Sequence, residues 1–186
     1  MSKIDFMDVI YRWRVRFGLL SVLFTVILAR PTLWSIAIGF LICLPGLLLR
    51  SWACGNINKE KKLAVTGPYR YTRNPLYLGN LILGVGIVFG ARSWWVLGIF
   101  IINFLLFYPI IIQREKIRMK DFFPDEYEEY KKKAPLFFPT LQPSLPKCKK
   151  TFSWVQFKQN KEIRALAGTL IFWAVMIIKA LFIRWP

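Results

Sequence analysis

Five apolar runs constrain this chain more tightly than anything else in it. They lie at Phe17–Ala29, Leu33–Leu49, Leu76–Ala91, Trp94–Ile112 and Ala165–Ile183. A bilayer core is about 30 Å thick, so a helix needs about 20 apolar residues to cross it. The fourth and fifth runs have 19 residues each, and Lys179 is the one charge within them. The first has only 13, so it must extend into its flank, with Arg12, Arg14 and Arg16 reaching toward the headgroups. The runs predict an all-α, polytopic membrane bundle of about five transmembrane helices, organised as one domain over residues 1–186.

The apolar runs coexist with a formal net charge of +17. A basic excess of that size can signal nucleic-acid binding, but its distribution points elsewhere. Of 27 Lys and Arg, 4 lie in residues 1–16, 6 in 50–73 and 13 in 113–164. Those three segments fall on one side if the chain crosses five times, which is the positive-inside pattern. The charge is therefore read as topological, with a secondary attraction to anionic lipid. The expected partner is membrane lipid and not nucleic acid. The same count places the N-terminus in the cytoplasm and the C-terminus on the opposite side. Asp5 and Asp8 sit where a cleavable signal would be basic, so targeting is expected to use the first span itself.

Histidine is absent and the three cysteines, Cys43, Cys54 and Cys148, have no paired spacing. That combination removes His-ligated metal, a Ser–His–Asp triad and an imidazole base. No metal is expected. Chemistry must come from carboxylates, tyrosines, arginines and amides.

Short turns at Arg30–Thr32 and Arg92–Ser93 divide the first four spans into two hairpins. The excursion at 113–164 ends in a proline-spaced stretch, Pro135 to Pro139 and on to Pro143 and Pro146, which disfavours a helix and predicts an extended segment across the bundle. Pro45-Gly46 and Pro109 predict kinks in the second and fourth spans. Gly86 and Gly90 form a GxxxG pair suited to close helix packing, and Asn103 suits a helix–helix hydrogen bond.

Polar residues are costly near membrane depth, so two clusters stand out as candidate sites. The first is Thr66-Gly-Pro-Tyr-Arg-Tyr-Thr-Arg-Asn-Pro-Leu-Tyr-Leu-Gly-Asn80. Asn74-Pro75 reads as a helix start, with an Asn cap and Pro in the first position. It puts Tyr77, Leu78 and Gly79 in the opening turns, beside the positive dipole end and the charges of Arg70 and Arg73, a place suited to an anionic group. An interfacial belt of Tyr and Arg is the plainer account. The second cluster runs from Gln113 through Glu115 and Arg118 to Tyr127, Tyr130 and the prolines. Glu115 could pair with Arg118 at i, i+3 or accept from two hydroxyls of a bound sugar. Tyr127 and Tyr130 share one helical face.

Together the clusters resemble the isoprenylcysteine carboxyl methyltransferase and phospholipid methyltransferase superfamily. The resemblance rests on Arg50-x-Trp52-Ala53-x-Gly55-x-Ile57, the Thr66–Gly79 run, and Glu115 with Met119, Phe123, Tyr127, Tyr130 and Pro135-x-Phe-x-Pro139. It covers about residues 40–140, leaving the first span and the additional helix at 165–183 outside. The family's Arg-His-Pro-x-Tyr appears here as Arg73-Asn74-Pro75-Leu76-Tyr77. Lys116 replaces a second Glu, and Pro124 a Gly. The Asn-Pro form is nearer to the phospholipid branch.

The resemblance implies a methyltransferase with a cytoplasmic pocket for S-adenosylmethionine and a lipid-like or prenylated acceptor entering from the bilayer. It implies Arg73, Asn74 and Glu115 as catalytic residues. It implies Arg73, Asn74, Pro75, Tyr77, Leu78, Gly79, Glu115, Tyr127 and Tyr130 around the cofactor. A carboxylate acceptor arrives ionised, whereas an ammonium acceptor must first lose a proton; the missing histidines favour the first and Asn74 the second. A membrane reductase of the sterol type with a nicotinamide cofactor, and a non-enzymatic membrane scaffold, are the competing readings.

Overall fold

In a computed structural model, residues 3–57, 62–145 and 152–183 are described, with side chains from Arg12 onward. Among them are seven α-helices, one 3-10 turn and no strand. The helices are α1 (Lys3–Leu28), α2 (Leu33–Asn56), α3 (Pro75–Ala91), α4 (Trp94–Phe122), α5 (Pro124–Lys133), α6 (Trp154–Gln159) and α7 (Glu162–Phe182). Five of them carry the five apolar runs, and the fold is the all-α one expected. Helices α2, α4 and α7 are each long and apolar enough to cross a membrane. Helix α3 has 17 residues, about 25 Å of rise. Helix α1 begins 14 residues before its apolar run, so the basic flank is helical, as the short run required. Their outward faces carry large apolar side chains: Leu19 is 69% exposed, Leu105 65% and Ile171 65%. That exposure fits lipid and not water, and the protein is an integral membrane protein.

The chain forms two compact units whose boundaries fall inside α2, α3, α4 and α7. The first holds residues 1–43, 84–114 and 170–186. Its core includes Ala29, Ile36, Cys43, Val96, Trp173 and Met176. Backbones meet closely there: a Cβ on Gly86 would lie 2.5 Å from both Cys43 Sγ and Gly39 O, and one on Gly90 would strike the Trp173 ring. The GxxxG pair is thus a packing face. Thr32 and Ser35 cap α2 reciprocally, each backbone N–H donating to the other's hydroxyl at 2.9 and 3.2 Å. Asn103 Nδ2 donates to Ser21 Oγ at 2.9 Å, the helix–helix bond expected. Lys179 of α7 donates to the carbonyls of Val26 and Ile27 at 2.5 and 2.8 Å, satisfying the last turn of α1.

The second unit holds residues 44–83 and 115–169. Its core is Leu63, Tyr127, Tyr130 and Ala134, with Val65, Met119, Phe123 and Leu145 against it. The helix of α4 continues ten residues past Ile112 to Phe122. It therefore takes up Glu115 and Arg118, which hydropathy alone placed after the span. Pro124 then opens α5 at its first position, the one helical site where a missing N–H costs nothing.

Candidate functional site

Every residue of the candidate site belongs to the second unit. Its frame starts at Gly67, whose φ of +58° is accessible to glycine at little cost. A Cβ there would also meet the Asn56 amide at 2.6 Å. Asn56 is itself fixed by donating to Trp52 O at 2.8 Å, and it accepts from Thr66 Oγ1 at 3.3 Å. Pro68 follows, buried, and the 3-10 turn Gly67–Arg70 sends Tyr69 inward at 5% exposure.

Residues 71–74 are then held by a non-helical strap at 135–140 that bends at 136–138. Arg73 N donates to Pro135 O at 2.9 Å and Thr140 N to Tyr71 O at 2.9 Å. Thr72 Oγ1 donates to Phe137 O at 2.8 Å, and Asn74 Nδ2 to Leu136 O at 2.8 Å. Arg70 adds two bonds to Leu145 O, at 3.1 and 2.7 Å. The proline-spaced stretch is non-helical as expected but bends at 136–138 and 141–142 instead of running extended, and it lies along this loop; Pro146 lies outside the described residues. Tyr130 Oη completes the frame by donating to Tyr69 O at 2.7 Å.

Arg73 is brought to Tyr127, its Nη1 donating to the phenol oxygen at 3.2 Å. Its Nε is buried without a partner. Asn74 precedes the helix as expected, but its amide nitrogen is engaged by the strap. Pro75 is fully buried and opens α3. Of the next amides, Tyr77 and Leu78 both donate to Asn74 O at 3.1 Å, so the anion-binding capacity expected of this helix start rests on the Arg73 guanidinium. Leu78 is half-buried. Gly79 faces α2, where a Cβ would meet Arg50 Cγ at 2.6 Å and Gly46 O at 2.9 Å. Tyr127 and Tyr130 pack edge to face at 6.4 Å. They are core residues of α5, on the one helical face their spacing implied.

The Tyr69 hydroxyl is buried with no hydrogen-bond partner among the described residues. Burial holds its pKa well above the ordinary value, reinforced by Cys54, Tyr130, Tyr77 and Glu115. The last three are residues that the sequence assigned to the site. The Tyr130 phenol is likewise pushed up by burial, opposed by Arg73 and reinforced by Tyr127. Both stay protonated at neutral pH.

A second polar cluster escaped the sequence reading. Arg50 clamps Glu162 with two bonds, Nε to Oε1 at 2.9 Å and Nη2 to Oε2 at 2.8 Å. Its Nη1 donates to Asn80 Oδ1, and Cys54 Sγ lies 3.2 Å from Glu162 Oε2. Glu162 is 2% exposed. Its signal was present: it is the one acid among six basic residues over 145–164.

Comparison with known proteins gives a family match that covers the 66–80 loop and Glu115 and ends before Tyr127. The profile of the phospholipid methyltransferase family matches residues 13–126. The cobalt-zinc-cadmium resistance protein CzcN of Cupriavidus metallidurans is 39% identical over 85 residues, 45% of this chain and 38% of that one. The nickel-cobalt-cadmium resistance protein NccN of Alcaligenes xylosoxydans xylosoxydans is 36% identical over 83, again 45% and 38%. The protein-S-isoprenylcysteine O-methyltransferase of Schizosaccharomyces pombe is 32% identical over 84, 45% of this chain and 36% of that one. The matched part thus spans under two fifths of each curated relative. No solved structure gives a significant match.

Proposed function

The chain belongs to the phospholipid methyltransferase family, and on that premise we propose that it transfers a methyl group from S-adenosylmethionine to a lipid-like acceptor. The family match, which contains both the 66–80 loop and Glu115, is the observation that carries this reading. The charge distribution supports a cytoplasmic N-terminus and site, with the C-terminus opposite. One domain over 1–186 does the work, with α7 added to a motif core at about 40–140.

The donor set suits the cofactor. Two buried polar atoms of the site, Arg73 Nε and Tyr69 Oη, have no hydrogen-bond partner among the described residues, and such groups cost stability unless a ligand satisfies them. Arg73, oriented by Tyr127, would take the amino-acid carboxylate, and Glu115 the ribose hydroxyls or an amine. Tyr77, Leu78 and Tyr127 would supply apolar and aromatic walls, while Asn74, Pro75, Gly79 and Tyr130 hold the frame. When bound, S-adenosylmethionine supplies a methyl group on a sulfonium, ready for in-line displacement.

What the chain adds is alignment and electrostatics. Tyr69 and Tyr130 are held protonated and cannot serve as bases near neutrality. An acceptor whose oxygen arrives ionised, such as a carboxylate on a prenyl-type chain, needs no base. An amine acceptor would depend on Glu115 to take its proton. With no imidazole in the chain, the carboxylate is the acceptor we take.

The test is binding first and transfer second. Detergent-purified protein is titrated with S-adenosylhomocysteine, and Glu115→Ala is expected to weaken binding while reaching the membrane normally. No binding to the native protein refutes the proposal. Radiolabelled methyl incorporation into total lipid, against prenylated cysteine analogues, then identifies the acceptor, and base-labile label marks a methyl ester.

A further inference from the structure

Residues 152–162 lie beyond the family match, which ends at residue 126, yet they are bonded to the helix that leads into the site loop. We propose that they form a clasp that positions the 66–80 loop for binding, with Asn160 as its positioning residue. What the loop binds is taken from the methyltransferase reading; the clasp itself stands on contacts within the second unit.

A helix ends in carbonyls that have no partner of their own and must be satisfied from outside it. For α2 that is done by 153–160. Ser153 N donates to Gly55 O at 3.0 Å. Asn160 Nδ2 donates twice, to Cys54 O at 2.9 Å and to Ile57 O at 3.1 Å. Helix α6 sets the spacing of these donors. Ser153 caps its start, accepting from Gln156 N at 3.4 Å, and Asn160 closes its end, its N–H donating to Gln156 O at 2.9 Å. Phe152 lies so close over α2 that a Cβ on Gly55 would fall 2.2 Å from its ring. Buried Phe157 supports that ring at 5.8 Å.

These contacts reach both ends of the site loop. Upstream, α2 ends at Asn56, whose amide is fixed on Trp52 O and accepts from Thr66 Oγ1. Gly67 lies against that amide, and the turn that leads on to Arg73 begins there. Downstream, Lys161, at a φ of +57°, turns the chain into α7. Glu162 then takes Arg50 with two bonds. Arg50 passes over Gly79, where a Cβ would meet its Cγ at 2.6 Å, and donates to Asn80. The start and the end of the loop thus answer to one short segment. Arg73 sits between them, and a misplacement of about 1 Å can cost a site about a hundredfold in rate.

The test is Asn160→Ala, which removes the donor shared by two carbonyls. Backbone hydrogen exchange is followed in detergent by mass spectrometry, beside the affinity for S-adenosylhomocysteine well below the melting temperature. The amides of Tyr69, Tyr71, Thr72 and Arg73 are all hydrogen-bonded. Exchange over 66–73 should quicken roughly tenfold and affinity fall roughly tenfold, about the worth of one hydrogen bond. Exchange over 94–112, in the first unit, should hold. A residue serving stability alone would leave the affinity of the folded variant intact. Phe152→Ala loosens the same segment without touching a hydrogen bond; it should act in the same direction, and it replaces Asn160→Ala if that variant does not fold. Faster exchange confined to 152–162 overturns the clasp, as does uniform acceleration along the chain or native affinity in the folded variant. Exchange needs no ligand, so a native protein that fails to bind S-adenosylhomocysteine refutes the methyltransferase reading while the exchange result still decides the clasp.

Discussion

Replacing Glu162 by alanine tests what the buried Arg50 cluster contributes to the second unit. The substitution removes both carboxylate oxygens, so Arg50 loses the acceptors of Nε and Nη2 and keeps only Asn80. Breaking a buried ion pair by deleting one partner costs about 3–5 kcal/mol, because the remaining charge stays desolvated. Arg50 is 15% exposed, so some water reaches it and the lower end, about 3 kcal/mol, applies. For a chain of this size that corresponds to a fall in melting temperature of about 6–12 °C. Arg50→Ala should cost more, since it strands the carboxylate beside Cys54 alone. Arg50→Leu with Glu162→Leu should recover most of the loss, because no unpaired charge remains. Thermal unfolding in detergent, followed by tryptophan fluorescence, reads all three. Single variants that melt within about 2 °C of the native protein, under 1 kcal/mol, would refute the buried-pair argument. So would a double variant whose loss equals the sum of the singles.

Gly86→Ala should destabilise by about 1–3 kcal/mol, because its Cβ would collide with Gly39 and Cys43. Gly98→Ala, which meets nothing within 4 Å, should be neutral or stabilising by up to about 1 kcal/mol; equal effects in the melting assay would discredit the packing face. The buried phenols give a pH prediction. Tyr69 and Tyr130 have folded pKa values above that of an unfolded tyrosine, so the folded chain binds more protons above about pH 10. Their contribution is intact below that pH and falls as pH rises through the window above it. Alkaline absorbance titration should show at least two of the seven tyrosines ionising late in the folded protein, and Tyr69→Phe should remove one of them. Simultaneous ionisation of all seven would contradict the burial.

The spans were legible because run length and charge asymmetry are local properties of the chain. Helix ends were less so, since a helix need not stop where hydropathy does. Helix α1 starts well before Phe17, and α4 runs through Glu115 to Phe122. Arg73, Asn74, Glu115, Tyr127 and Tyr130 all fall in one unit. The strap contacts left no trace in sequence, because they join backbone atoms over sixty residues apart, as from Arg73 N to Pro135 O. Arg50 and Glu162 lie 112 positions apart. Each is visible as a charge in an unusual place, but nothing local says that they meet. Tyr69 was one aromatic among several until its burial distinguished it.

The lysine of α7 that closes the last turn of α1 gives this protein an order of assembly. Lys179 and Val26 are 153 positions apart, so the Val26 and Ile27 carbonyls are made long before their final donor. At 5–20 residues per second, that interval is on the order of ten seconds. Through it, the end of the first helix must remain in contact with water or headgroups. Helix α1 is therefore completed only once α7 has been made and brought to it.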